Sequence, residues 1–116
     1  MKKKNYLVRL NPKGFYLARG ESFASDLIEG LALVRVFQDS DTDRPTGEFS
    51  IIDTFSGLFV LRNKSKKKLI EFWNLRFYRN TDLMTIITAR KTDSYKERVI
   101  ELQNEIAIWR KSGYEF

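Results

Sequence analysis

RNKSKKKLIEFWNLRFYR, residues 62–79, is the basic stretch around which the rest of the chain is organised. Seven basic residues (Arg62, Lys64, Lys66, Lys67, Lys68, Arg76 and Arg79) stand there against one acid, Glu71, an excess of +6 that equals the net charge of the 116-residue chain. As a strand, Leu69, Trp73, Leu75 and Phe77 alternate onto one face, broken only by Glu71, and Ile70, Phe72, Asn74, Arg76 and Tyr78 line the other. As a helix, Glu71, Asn74 and Arg76 scatter and leave no clean apolar stripe. Aromatic enrichment favours the strand. The segment is read as a strand, with a helix as the alternative, because short apolar runs fit both periods. Lys66, Lys67 and Lys68 precede the alternation and are expected in a connecting loop, with Trp73, Leu75 and Phe77 pointing into the core.

Upstream, Asn5 to Leu10 alternates in a strand pattern, and Phe15 to Ala18 returns as the second arm of a hairpin. Between them Asn11-Pro12-Lys13-Gly14 reads as a type I turn, with proline presetting the second position and glycine suiting the fourth. Lys13-Gly14-Phe15 also matches the opening of an RNA-recognition signature, but Tyr16 and Leu17 break it. Ser22 to Glu29 is ambiguous: Ser22 could cap a short helix that puts Phe23 and Leu27 on one face, with Gly30 ending it. Leu31 to Phe37 is an apolar run broken only by Arg35, as in a well-buried strand. The loop from Asp39 to Gly47 alternates aspartates like a calcium loop, yet Arg44 stands where glycine is needed and Ser50 where a bidentate glutamate belongs. It is read as a solvated turn.

Glu48 to Thr54 and Leu58 to Arg62 form another hairpin around Phe55-Ser56-Gly57, and Asn80-Thr81-Asp82 turns the chain into a strand from Leu83 to Thr88. The last element is a helix. Ser94 and Glu97 make a capping box, and Tyr95, Val99, Leu102, Ile106 and Trp109 recur as one apolar stripe. Gly113 stops it. Two heptads are too few for a coiled coil, so the stripe is expected to pack on the sheet. The whole chain, 1–116, is read as a single α+β domain, mostly antiparallel β: about seven strands in a curled sheet or small barrel, closed by one C-terminal amphipathic helix. In element order this layout is similar to small barrels with a terminal helix, among them RNA-binding PUA-type and lipid-binding PH-type domains; order alone carries little about function.

Composition narrows the chemistry. The chain has no histidine and no cysteine. That removes the usual general base at neutral pH, thiolate zinc sites and Cys-His or Ser-His nucleophiles. No Gly-rich phosphate loop, dinucleotide fingerprint, E-x-K or D-x-K occurs. An enzyme is not expected, nor a cofactor or metal. The charged start MKKKNYLVRL lacks the apolar run of a signal peptide, because Arg9 cuts it, and no window reaches the length of a membrane span. A cytoplasmic location is the expectation. The second half concentrates the charge: residues 59–116 carry thirteen basic and seven acidic groups, against eight and eight before.

Basic residues interleaved with aromatics suit phosphates and stacked bases. The candidate nucleic-acid-binding residues are Lys64, Lys66, Lys67, Lys68, Phe72, Arg76, Tyr78 and Arg79. RNA or single strands are favoured over duplex DNA, because no major-groove helix is recognisable. The alternative is a protein–protein interaction module or a homodimeric accessory protein whose basic patch is structural. Glu97, Glu101 and Glu105 form an acidic row on the terminal helix that asks for a basic neighbour, and residues 62–79 are the largest available.

Overall fold

The computed structural model describes residues 3–9, 14–37, 45–78 and 82–116. Five strands come first: β1 (Lys4–Arg9), β2 (Phe15–Ser22), β3 (Leu31–Phe37), β4 (Pro45–Asp53) and β5 (Phe59–Asn63). They pair in chain order, every neighbour antiparallel. Three helices follow: α1 (Lys66–Trp73), continued by a π-helical segment (Asn74–Tyr78), then α2 (Asp82–Ala89) and α3 (Asp93–Lys111). The α+β class stands, and α3 is the longest helix. The count of seven strands and the closed barrel do not: β1 and β5 are the outer strands of an open sheet. The β4–β5 turn reaches the free edge of β1, where the Arg9 N–H donates to the Gly57 carbonyl at 2.8 Å.

The two missing strands are helices, and the cause is local capping joined to burial. Asn63 Oδ1 accepts from the Ser65 N–H at 2.8 Å. Ser65, itself extended, then caps α1 by accepting from the Lys68 N–H at 3.3 Å. Leu69 and Trp73, at i and i+4, fall on the same face and are both buried. In α2, Leu83, Ile86 and Ile87 repeat the helical spacing and pack on the same core. Of the three residues expected in the core, Trp73 is buried, Leu75 is 72% exposed, and the Phe77 side chain lies outside the described residues. A strand puts Trp73 and Leu75 on one face, whereas a helical turn sends them apart.

The core has two clusters, one on each face of the sheet by strand alternation. Tyr6, Val8, Ala18, Ala32, Val34 and Ile52 pack together with Phe59 on one face. The other face joins Leu31, Leu33 and Ile51 to Leu69 and Trp73 of α1, with Ile28 from the β2–β3 connection. That connection is a turn and not a helix: Ala24 has φ +53 and its carbonyl accepts from Leu27 and Ile28. Phe23 nevertheless packs edge-on against Trp73, ring centres 5.2 Å apart.

The terminal helix keeps the expected stripe: Leu102 is buried and Tyr95, Val99, Ile106 and Trp109 are half-buried. Its cap lies two residues earlier than expected, at Thr92, whose side chain accepts from the Tyr95 N–H at 3.3 Å. At the other end Gly113 (φ +100) donates to Arg110 and Tyr114 donates to Trp109, the paired bonds of a Schellman turn. The Tyr114 ring seals it edge-on against Trp109.

Candidate nucleic-acid interface

Helical geometry rearranges the basic stretch. Lys66, Lys67 and Lys68 are the first turn of α1 and not loop residues, with Lys64 just before the Ser65 cap. All four lysines are exposed. The next turn carries Phe72, 46% exposed, which leaves a substantial part of the ring open to a stacking partner. Lys68, Phe72 and Arg76 follow one another at intervals of four, and all three are exposed. Lys68 and Phe72 belong to α1 and Arg76 to the π-helical segment that continues it. The strand arrangement that placed Tyr78 beside them is lost. Tyr78 ends the π-helical segment and its side chain, like Arg79 and the 11–13 turn, lies outside the described residues. So does the 39–44 loop considered for calcium.

The electrostatics of this turn are adverse on their own. Cations at the positive end of a helix dipole oppose it, by the same few tenths to one kcal/mol that acids gain there. The first turn of α1 holds three cations and no acid. Among the described residues the ion pairs are Arg9–Glu101, Arg62–Glu48 and Arg90–Asp53, so none of the four lysines is neutralised by one. Arg62 differs from them: it binds Glu48 at 2.7 Å and lies 4.5 Å from the Phe59 ring.

Among the described residues, no ion pair joins the acidic row of α3 to the basic stretch. The basic neighbour of that row is Arg9 of β1, which binds Glu101 at 2.8 Å and the Arg98 carbonyl at 3.0 Å. Glu105 accepts from the Trp109 indole at 3.1 Å. The lysines of α1 are thereby left without that internal role.

Two further cations face the helix-bearing side of the sheet. Arg19 of β2 is directly opposite Arg35 of β3, and both are exposed. The signal in the sequence was Arg35 itself, the one charge interrupting Leu31 to Phe37. Its pairing with Arg19 depends on the β2–β3 register, which Arg35 alone does not reveal.

Among the described residues no group of three or more acids is placed to hold a metal, and no helix is long and apolar enough to cross a membrane. No protein-family model, curated protein or solved structure matches the chain.

Proposed function

We propose that this is a small non-enzymatic regulatory protein that binds single-stranded nucleic acid, RNA foremost, through the first two turns of α1. One observation carries the reading: Lys64, Lys66, Lys67 and Lys68 are exposed and outside every ion pair described, immediately before the exposed ring of Phe72. Folding gains nothing from three cations on the positive end of a helix, whereas bound phosphates offset that cost and release counterions. Phe72 supplies the face on which a base can stack. Arg76 continues the line and Tyr78 and Arg79 extend the segment. The cytoplasm is the proposed compartment.

The deciding measurement is the binding of labelled single-stranded RNA and duplex DNA over a salt series. Single-strand affinity that falls as salt rises is the expected result. Absence of binding at low salt, or salt-independent affinity, rejects the reading.

A second reading is an interaction module or homodimer, favoured by the apolar side chains exposed on the helices: Met84, Ile100 and Ile108 are each more than half exposed. It predicts a concentration-dependent mass in sedimentation, unaffected by nuclease.

A further inference from the structure

Residues directly opposite on antiparallel strands present their side chains to the same face, with Cβ atoms about 5 Å apart. Arg19 is opposite Arg35, Arg35 opposite Phe49 on β4, and Phe49 opposite Asn63 on β5. One row therefore crosses four strands, a span of about 14 Å at about 4.8 Å per strand. It lies on the face that carries α1, because Phe49 packs against the cluster containing Leu69 and Trp73. Its far end is Asn63, which bonds the backbone of the residue capping α1. Lys66, Lys67 and Lys68 are the first turn of the helix that this cap opens.

Like charges directly opposite each other destabilise a sheet. The Arg35 guanidinium is 5.7 Å from the Phe49 ring, a contact that leaves its charge in place. Neither arginine belongs to an ion pair among the described residues. Among the described residues, Glu21 and Glu115 lie on or beside these strands. Glu21 shares the β2 face and lies opposite Leu33, and Glu115 accepts through its carbonyl from Asn5, the β1 neighbour of Arg19. Neither carboxylate is within ion-pair distance of Arg19 or Arg35.

Two guanidiniums held side by side by strand register suit a phosphodiester chain. Each planar fork can bind two phosphate oxygens, which a carboxylate-bearing peptide would offer at less regular spacing. We infer that Arg19 and Arg35 grip neighbouring phosphates of a single strand that crosses the sheet from β2 to the first turn of α1. The inference rests on the nucleic-acid reading above and gives that strand its path.

The test compares the full chain with R19Q/R35Q and with K66Q/K67Q/K68Q, using a labelled uridine oligomer across a salt series. The arginine double variant should bind roughly tenfold more weakly at low salt, with a salt slope smaller by about 1.4, from two phosphates at about 0.7 each. Its thermal midpoint without RNA should hold or rise, since a like-charge pair has been removed. R19K/R35K should keep most of the slope while losing affinity with the forks. If the lysine variant weakens binding and R19Q/R35Q matches the parent in affinity and slope, the path is wrong and the nucleic-acid reading survives. No binding by the parent chain removes both. Loss of cooperative unfolding in R19Q/R35Q assigns the pair a structural role and overturns the inference. So does competition by polyglutamate that equals RNA charge for charge.

Discussion

Arg90 and Asp53 are joined across the fold: the Arg90 Nε donates to Asp53 Oδ2 at 2.8 Å, with Asp53 only 4% exposed. The arginine follows α2 and the aspartate ends β4, so this one contact ties the helical half to the sheet. Asp53 Oδ1 also accepts from the Phe55 and Ser56 backbone at 3.0 Å, which shapes the β4–β5 turn. Arg90 reaches on to the Glu29 carbonyl at 2.7 Å and lies over the Phe55 ring. Removing one partner of a buried pair leaves the other uncompensated. Asp53→Ala should cost about 3–5 kcal/mol, read as a lower urea midpoint. Arg90→Ala should cost less, because Asp53 keeps its Phe55, Ser56 and Tyr95 donors. Equal stability of Asp53→Ala and the parent would deny the contact its role.

Tyr95 belongs to the same knot, its hydroxyl within 3.0 and 3.1 Å of the two Asp53 oxygens. Burial, then the Asp53 carboxylate, pushes its ionisation above the ordinary tyrosine range. Tyr6 is raised as well, chiefly by burial. Above about pH 10 the unfolded chain releases these protons first, so it binds fewer than the folded one and stability falls as pH rises. Below that pH the contribution is complete. Tyr95→Phe should flatten part of the alkaline decline and leave the acid limb unchanged, as followed by denaturant titrations from neutral to alkaline pH. An alkaline limb identical to the parent's counts against this account.

Thr92 and Ser94 both have the side chain to cap α3, and the structure separates them. The Thr92 hydroxyl accepts from Tyr95 N and donates to the Ala89 carbonyl at 2.7 Å, so it closes α2 and opens α3 together. Thr92→Ala should lower stability by about 1 kcal/mol. Ser94→Ala, inside the first turn, should change it by no more than a few tenths. Thermal midpoints of the two variants give the comparison, and the reverse ranking would restore the Ser94 cap.

Charge and stacking on α1 should separate by their salt dependence and by stability. Replacing Lys66, Lys67 and Lys68 with glutamine should weaken binding to every sequence and lower the salt slope by about 2, from three phosphates. The same change should stabilise the free protein slightly, since cations leave the positive end of α1. Phe72→Ala should weaken single-strand binding by about 1–3 kcal/mol with the slope nearly unchanged and the fold intact. Fluorescence anisotropy against salt reads both effects. A Phe72→Ala protein that unfolds would show a buried support and not a stacking face.

Wherever a local hydrophobic pattern matched the burial of a single element, it was legible. Leu31 to Phe37 is β3 to the residue, and the stripe Tyr95 to Trp109 is the inward face of α3. Those patterns are set within a few neighbours, by strand alternation or by the helical turn. The expected strands at 69–78 and 83–88 were different: aromatic enrichment and a period of two pointed the first to a strand, while the chain forms α1, the π-helical segment and α2. What settled them was the Ser65 cap and the apolar surface of Leu31, Leu33 and Ile51, which accepts Leu69 and Trp73 one helical turn apart.

The candidate site divides along the same line. The concentration of lysine and arginine between residues 62 and 79, and the absence of histidine and cysteine, were determined by sequence alone, because these are properties of composition. Which charges are engaged follows from the folded chain. Arg9, far from the basic stretch in the chain, meets Glu101, so the lysines of α1 stay outside the ion pairs described. Strand register sets Arg19 against Arg35, a meeting of residues sixteen apart that Arg35 alone does not reveal. Composition is a sum over residues, whereas the pairing of charges depends on which distant surfaces the folded chain brings together.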